Sequence, residues 1–382
     1  MKILHLIYDD ITNPWCGGGG AIRTLEVYKR FPKDWEITVI TGAYPNCQRI
    51  EKKENIKYLR IGLPFNYPLS RLTYSFLAPF WIKKLNFDIL IEDFSAHSPV
   101  FSFLFTKKPT IALFQNLFGK YELKNYKGLK KIQGILSYLF EIIAIKNFKN
   151  IIAVSSLLEK EIKKINPNAN IFIIPYGVEE ILFNGNGEEK NYILFLGRFD
   201  IEQKGIDILI AAYKILVEKL TKNWLPDLYL VGKGKDEKKI KTLIFSLKLE
   251  DKIKLLPPVY KERKREMIKN SLFICMPSRF ESFGMVACES QACGKPIIAS
   301  NIEPLTSLII DKKTGLLVER DNPQQLAESM LRLIKDKELR KFLGNNGKEW
   351  AKQFNWDIIA KNQLAFYQKV FSFTYSSSII IN

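Results

Sequence analysis

The sequence predicts an α/β protein of two domains, each a parallel sheet with helices on both faces. Short apolar runs at 2–8, 36–42, 56–62, 87–93 and 109–114 alternate with segments of helical spacing, the pattern that builds parallel sheets. The same alternation restarts after a polar, Gly-rich stretch at 184–190, which is the expected inter-domain linker. A chain of 382 residues also exceeds what one small core holds. The domains are therefore set at 1–183 and 184–355, followed by a helix and tail over 356–382.

The bulk properties bound the function. Apolar content of 47% and charged content of 26% suit a soluble globular protein. The five cysteines form no Cys-x-x-Cys pair and no even framework, which points to reduced thiols in a cytosolic setting. With only two histidines, a His-based metal site is not expected. The net charge of +18 implies an anionic partner, whether phosphate ligand, acidic lipid or nucleic acid. No nucleic-acid module is recognisable, so nucleic acid is not expected. The run at 2–8 meets Asp9 and Asp10 too soon for a secretory signal, and no apolar run is long enough to span a bilayer. The expected location is cytoplasmic, free or peripheral on the cytoplasmic face of the membrane.

Taken in order, 2–8 is a first buried strand. Gly17, Gly18, Gly19 and Gly20 then precede a helix over 21–31. Such a turn lets backbone approach phosphate oxygens, though it is not GxGxxG and equally reads as a flexible loop. Arg23, one turn on, adds a cation. The segment 69–85 is an aromatic helix. His97 lies in a polar loop, and His5 reads as a packed core histidine. Over 118–150, Lys120, Lys124, Lys127, Lys130 and Lys131 cluster ahead of an apolar run. This segment suits an anionic membrane surface; it also reads as a loop and core helix with lysines facing water. Strands at 151–156 and 171–178 close the first half, with a Ser-capped helix between them.

In the second half, a strand at 191–200 ends in Gly197-Arg198, and Lys204 follows just before a helix. Cations past the carboxyl end of a strand stand where open parallel sheets bind ligands, and two of them suit a diphosphate. The strands 227–234 and 253–259 place Gly232, Pro257 and Val259 as candidate nucleobase contacts. A strand at 272–276 leads into SRFESFGMVACESQACGKPIIAS (278–300), read as loop, helix and strand. Glu281 precedes the helix and Glu289 lies about two turns along it. Between them the first-turn N–H groups near Phe283, Gly284 and Met285 form a positive pole suited to phosphate. Hydroxyl-binding acids flanking a phosphate site fit a nucleotide sugar. A last strand lies at 313–319, and helical segments follow at 323–335 and 354–371.

The stretch from Pro277 resembles the donor-site signature of retaining GT-B glycosyltransferases of family 4. The matching positions are Pro277, Ser278, Glu281, Phe283, Gly284, Glu289, Gly294 and Pro296. The run from Gly197-Arg198 to Lys204-Gly205 is similar to the opening of that family's donor domain. The resemblance implies two Rossmann-like domains facing across a cleft, with the final helix crossing back to the first. It implies a nucleotide-diphospho-sugar donor, a glycan or lipid-linked acceptor, retention at the anomeric carbon, and no metal or other cofactor. It assigns diphosphate binding to Arg198, Lys204 and residues 17–20, sugar binding to Glu281 and ribose binding to Glu289. One departure stands out: family members often carry a His after the strand at 109–114, and here Gln115-Asn116 follows. An amide cannot act as a base near neutral pH. A nucleotide-sugar epimerase of the same fold, or a non-catalytic nucleotide-sugar-binding subunit, are the alternatives.

Overall fold

The computed structural model describes residues 1–119, 128, 130–185, 187–221 and 224–379. It divides into two compact units, Met1–Tyr176 with Trp356–Asn382, and Gly177–Asn355. The division falls ahead of the polar stretch expected as linker. That stretch belongs to the second unit: Arg340 Nη2 donates to Glu189 Oε2 at 2.8 Å, and the Lys190 N–H donates to the Asn270 carbonyl at 2.7 Å. Lys120, Lys124 and Lys127 of the basic segment lie outside the described residues.

The first unit holds strands β1 (Lys2–Leu6), β2 (Glu36–Gly42), β3 (Ile50–Lys53), β4 (Ile56–Ile61), β5 (Ile89–Asp93), β6 (Thr110–Phe114), β7 (Asn150–Ala153) and β8 (Asn170–Ile173). Their spatial order is β3-β4-β2-β1-β5-β6-β7-β8, with β3 antiparallel to β4 and the other pairs parallel. Strand β3 is an addition to the expected set. Its sequence, IEKK, lacks a buried face, because it is an edge strand. Helices α1 (Gly19–Tyr28), α2 (Tyr67–Lys84), α3 (Lys130–Asn147) and α4 (Ser156–Ile165) join the strands. Successive strand residues point to opposite faces, so Ile3, Val39 and Ile91 pack one core while Leu4, Leu6, Ile40 and Leu90 pack another. The first core is covered by α1 and the C-terminal helix Trp356–Ile379, through Tyr28, Phe366 and Tyr367. The second takes Tyr74, Ala78 and Ile82 from α2.

The second unit holds β9 (Tyr192–Leu196), β10 (Asp227–Val231), β11 (Ile253–Leu256), β12 (Ile274–Met276), β13 (Ile297–Ser300) and β14 (Leu316–Val318), all parallel, in the order β11-β10-β9-β12-β13-β14. Its helices are α5 (Ile201–Lys204), α6 (Ile206–Lys219), α7 (Glu237–Ser246), α8 (Lys261–Asn270), α9 (Met285–Ala292), α10 (Leu305–Leu308), α11 (Pro323–Lys335) and α12 (Lys337–Ala351). Phe195, Leu209, Leu230, Phe273 and Ile298 lie in its core. The chain enters and leaves side by side, the Val178 N–H donating to the Phe354 carbonyl at 2.7 Å. From β9 the chain first builds outward through β10 and β11, then returns to add β12 on the other side. The order therefore reverses at β9, and the loops leaving β9 and β12 mark the place where open α/β sheets bind ligands.

Candidate active site

Arg198 follows the end of β9 and is exposed; its Nη2 donates to Gln203 Oε1 at 3.0 Å. Asp200 caps α5, its Oδ1 accepting from the Gln203 N–H at 3.1 Å. Lys204 ends this short helix. Gly205 comes next with φ 61°, and a Cβ there would lie 2.0 Å from the Pro277 carbonyl oxygen. Only glycine lets the α5–α6 junction press this closely on the exit of β12. The approach brings Lys204 Nζ to 2.5 Å from Glu281 Oε1, which also accepts from Ser278 Oγ at 2.7 Å. The loop is fixed from behind. Arg279 forks onto Asp207 at 2.9 and 2.8 Å and reaches Asp321 at 2.5 Å, while its own N–H donates to the Gln203 carbonyl at 2.8 Å.

Beyond Glu281, Phe283 is buried, its ring 6.2 Å from that of Phe354. Gly284 follows with φ 106°, where a Cβ would meet Leu305 Cδ2 at 2.6 Å. It precedes α9 without a side-chain cap, which leaves the positive end of the helix dipole open at Met285. Glu289 is the fifth residue of α9, closer to its start than the sequence spacing suggested. It is buried and ion-paired through Oε1 with Lys264 of α8. Its Oε2 is buried with no hydrogen-bond partner among the described residues. Burial pushes the Glu289 carboxyl above its usual range, and the Lys264 ammonium opposes that shift.

Gly232 follows β10, and a Cβ there would lie 1.8 Å from the Gly197 carbonyl oxygen, so the β9 and β10 exits touch. Pro257, exposed, and Val259, half-buried, follow β11 on the same edge of the sheet. The structure thus joins Lys204 to Glu281 directly and ties Arg198 to the same helix through Gln203. Glu289 has a separate partner in Lys264.

In the first unit, α1 begins at Gly19, with Gly18 as its N-cap residue. A side chain at Gly18 would meet nothing within 4 Å, whereas a Cβ at Gly20 would fall 2.5 Å from Gln115 Nε2. The Gln115 amide donates to Asp93 Oδ2 and accepts from the Tyr176 hydroxyl. Burial pushes the Asp93 carboxyl up to about 8, against the bond from Gln115. Arg23 is not a phosphate cation. It is buried and donates to the Pro175 carbonyl at 2.6 Å and to Gln363 Oε1 at 2.8 Å, tying α1 to the C-terminal helix. His97 is exposed and bonds Ser137 Oγ at 3.0 Å. His5 is buried at 2.7 Å from the Tyr28 hydroxyl, and burial, with Arg23 beside it, lowers its pKa to about 3. Among the described residues, no group of three or more His, Cys, Asp or Glu is placed to hold a metal ion. No described helix is long and apolar enough to cross a membrane.

The family model for glycosyl transferases group 1 matches residues 178–350, and that for Glycosyltransferase Family 4 matches 17–180. An uncharacterized glycosyltransferase of Methanocaldococcus jannaschii is 31% identical over 97% of this chain and 99% of its own. The chain belongs to glycosyltransferase family 4. Its fold is GT-B: sucrose-phosphate synthase from Thermosynechococcus elongatus superposes with a TM-score of 0.81 at 21% identity, covering 97% of this chain and 99% of that one. The Anabaena protein HepE, solved with UDP-glucose, gives 0.70 at 16% identity over 99% and 100%.

In this family 4 glycosyltransferase, two partners of residues that the sequence marked escape a reading of the sequence. Lys264 sits in KERKREMIKN, where most residues are charged and no spacing marks one lysine out. Asp93 ends a buried strand, and only the fold shows that Gln115 stands beside it. Ser278 carried a signal, since it precedes Glu281 by one loop turn within the signature.

Proposed function

We propose that this glycosyltransferase moves a hexose from a nucleotide-diphospho-sugar to a glycan or lipid-linked acceptor, with retention and without a metal. The observation that carries the reading is the Lys204–Glu281–Ser278 cluster at the reversal of strand order, ahead of the open N-terminus of α9. Arg198 and Lys204 hold the departing diphosphate, aided by the backbone N–H groups at Phe283, Gly284 and Met285. Preorganised donors of this kind are worth about 3 kcal/mol each in the transition state. Glu281 takes the sugar hydroxyls and orients the ring. Glu289 accepts from the ribose hydroxyls, for which its unpartnered Oε2 is suited. Gly232, Pro257 and Val259 border the base. Gly17, Gly18, Gly19 and Gly20 are read as backbone donors suited to phosphate.

The departing phosphate takes the acceptor proton. No side-chain base is then needed, which accommodates Gln115, whose amide is engaged with Asp93 and Tyr176. HepE, of like fold, is solved with UDP-glucose, which favours including uridine donors among those tried. The test is a thermal-shift panel of uridine, guanosine and adenosine diphosphate sugars, followed by nucleoside diphosphate release with and without chelator. Stabilisation by one base class and chelator-resistant turnover are expected. No stabilisation by any donor, or activity lost to chelator and restored by a divalent cation, overturns the corresponding part. Sugar isomerisation of labelled donor without acceptor assigns an epimerase instead.

A further inference from the structure

Helix α2 packs on the first sheet through Tyr74, Ala78 and Ile82, and both α2 and α3 carry exposed apolar residues. On α2, Leu72, Phe76 and Phe80 recur every four residues, which stacks them in one stripe. Phe76 is 74% exposed and Phe80 59%. On α3, Ile132, Leu136, Leu139 and Ile143 form a second exposed stripe. The segment 95–108 bridges the two helices. Arg71 of α2 donates to Ser95 Oγ at 2.5 Å and Ser98 Oγ at 2.9 Å, and the Phe101 ring lies 5.7 Å from that of Phe140 on α3. This bridge adds Leu104, itself 66% exposed.

The charge on this face has one sign. Neither 67–84 nor 95–108 contains an Asp or Glu. The one acid of α3, Glu141, is buried and accepts from the N–H groups of Phe118 and Gly119. Lys83, Lys84, Lys107, Lys131 and Lys146 are exposed around the apolar stripes. Lys84 Nζ lies 5.7 Å from the Phe80 ring and 5.1 Å from that of Trp81, and Lys83 Nζ lies 6.0 Å from Phe105. Their stems run along apolar surface while the ammonium groups reach outward. Lysine is depleted in protein–protein interfaces, whereas a lysine rim around aromatic and aliphatic side chains suits anionic headgroups over acyl chains.

We propose that this outer face of α2, 95–108 and α3 lies on the surface of an anionic bilayer, without crossing it. The surface extends well beyond the basic segment that the sequence marked, since α2 and 95–108 precede it. It rests on the glycosyl-transfer reading only in pointing to a lipid-linked acceptor.

The test is co-sedimentation of the full chain with sucrose-loaded vesicles, without donor or acceptor, so that it can fail independently of the transfer reaction. Vesicles of phosphatidylcholine are compared with vesicles in which a third of the lipid is phosphatidylglycerol. The chain is expected to pellet with the anionic vesicles, less with neutral ones, and less again at high salt. Phe76→Asp with Phe80→Asp should weaken binding roughly tenfold or more. Lys83→Glu with Lys84→Glu should weaken it roughly tenfold and abolish the preference for anionic lipid. All four side chains are exposed, so both variants should keep the wild-type melting temperature and donor-induced thermal shift. Wild-type protein that stays in the supernatant, or a Phe76→Asp/Phe80→Asp variant that binds as wild type, overturns the proposal. Self-association lost in that variant, with no vesicle binding, gives the face to a second copy and equally overturns it.

Discussion

Replacing Lys204 with Met tests the proposed site most directly, because the lysine has a structural and a chemical role that separate in a double variant. Its ammonium lies 2.5 Å from a carboxylate whose side chain is only 8% exposed, the lysine itself being 16% exposed. Removing one partner of a fully buried pair costs about 3–5 kcal/mol. Here Ser278 still donates to Glu281 and water reaches the lysine end, so Lys204→Met should destabilise by about 1–3 kcal/mol. Turnover should fall by about 10²–10³-fold, the effect of losing one preorganised donor to a leaving group. Adding Glu281→Gln removes the unpaired charge. The double variant should recover most of the stability and none of the activity. Denaturant unfolding measures the first, and nucleoside diphosphate release with the donor selected by the thermal-shift panel measures the second. Near wild-type turnover in Lys204→Met, or activity returning with stability in the double variant, refutes the assignment.

Gly205→Ala should reduce both stability, by about 1–3 kcal/mol, and turnover, since the new methyl collides with the Pro277 carbonyl and moves Lys204; unfolding and donor-titration curves would show this. Glu289→Gln should weaken nucleoside diphosphate binding by roughly 10–100-fold with little loss of stability, measured by calorimetry, whereas Lys264→Met should destabilise the fold by leaving a buried carboxylate alone. Asp93 holds its proton in the folded state up to about pH 8, against 3.8 ordinarily, so its contribution to stability is complete below the ordinary value and is lost as pH rises through about 8. Asp93→Asn should therefore gain a few degrees in melting temperature over the wild type on going from mildly acidic to alkaline buffer; parallel profiles would exclude a raised Asp93 pKa. The affinity gap between the sugar nucleotide and its bare nucleoside diphosphate should narrow in Glu281→Gln, as calorimetry with both ligands would report.

The sheets of both units were legible because buried parallel strands are near-continuous apolar runs, as in ILIED and YILFL. What stayed hidden lacked that signal. Edge strand β3 buries no face, and α8 buries Met267 and Ile268 as its apolar residues, with Lys269 beside them. The signature stretch marked Glu281 and Glu289 as candidates, but not their pairing, since Lys204 and Lys264 reach them across 77 and 25 residues of chain. Arg23 misled for a related reason. Its place one turn into α1 suited a phosphate, but sequence spacing does not say which way a side chain turns, and the C-terminal helix claims it through Gln363.

If the proposed roles hold, the ion pairs in the second unit let a donor be read as a whole. Lys204 and Glu281 neutralise each other, as do Lys264 and Glu289, so neither acid stands buried and unpaired. Under the proposed roles, a diphosphate draws Lys204 away from Glu281. A bare nucleoside diphosphate then leaves Glu281 with Ser278 alone, and loses part of what the phosphate contact gains. A sugar nucleotide supplies hydroxyls to the acid in the same step. A hydrogen bond to a charged group is worth about 1.5–3 kcal/mol, so the sugar should tighten binding by about 10–100-fold through Glu281. Gln at this position carries no charge to strand, and the gap between the two ligands should then narrow. A gap of wild-type size in Glu281→Gln places the sugar contact elsewhere and separates Lys204 from it.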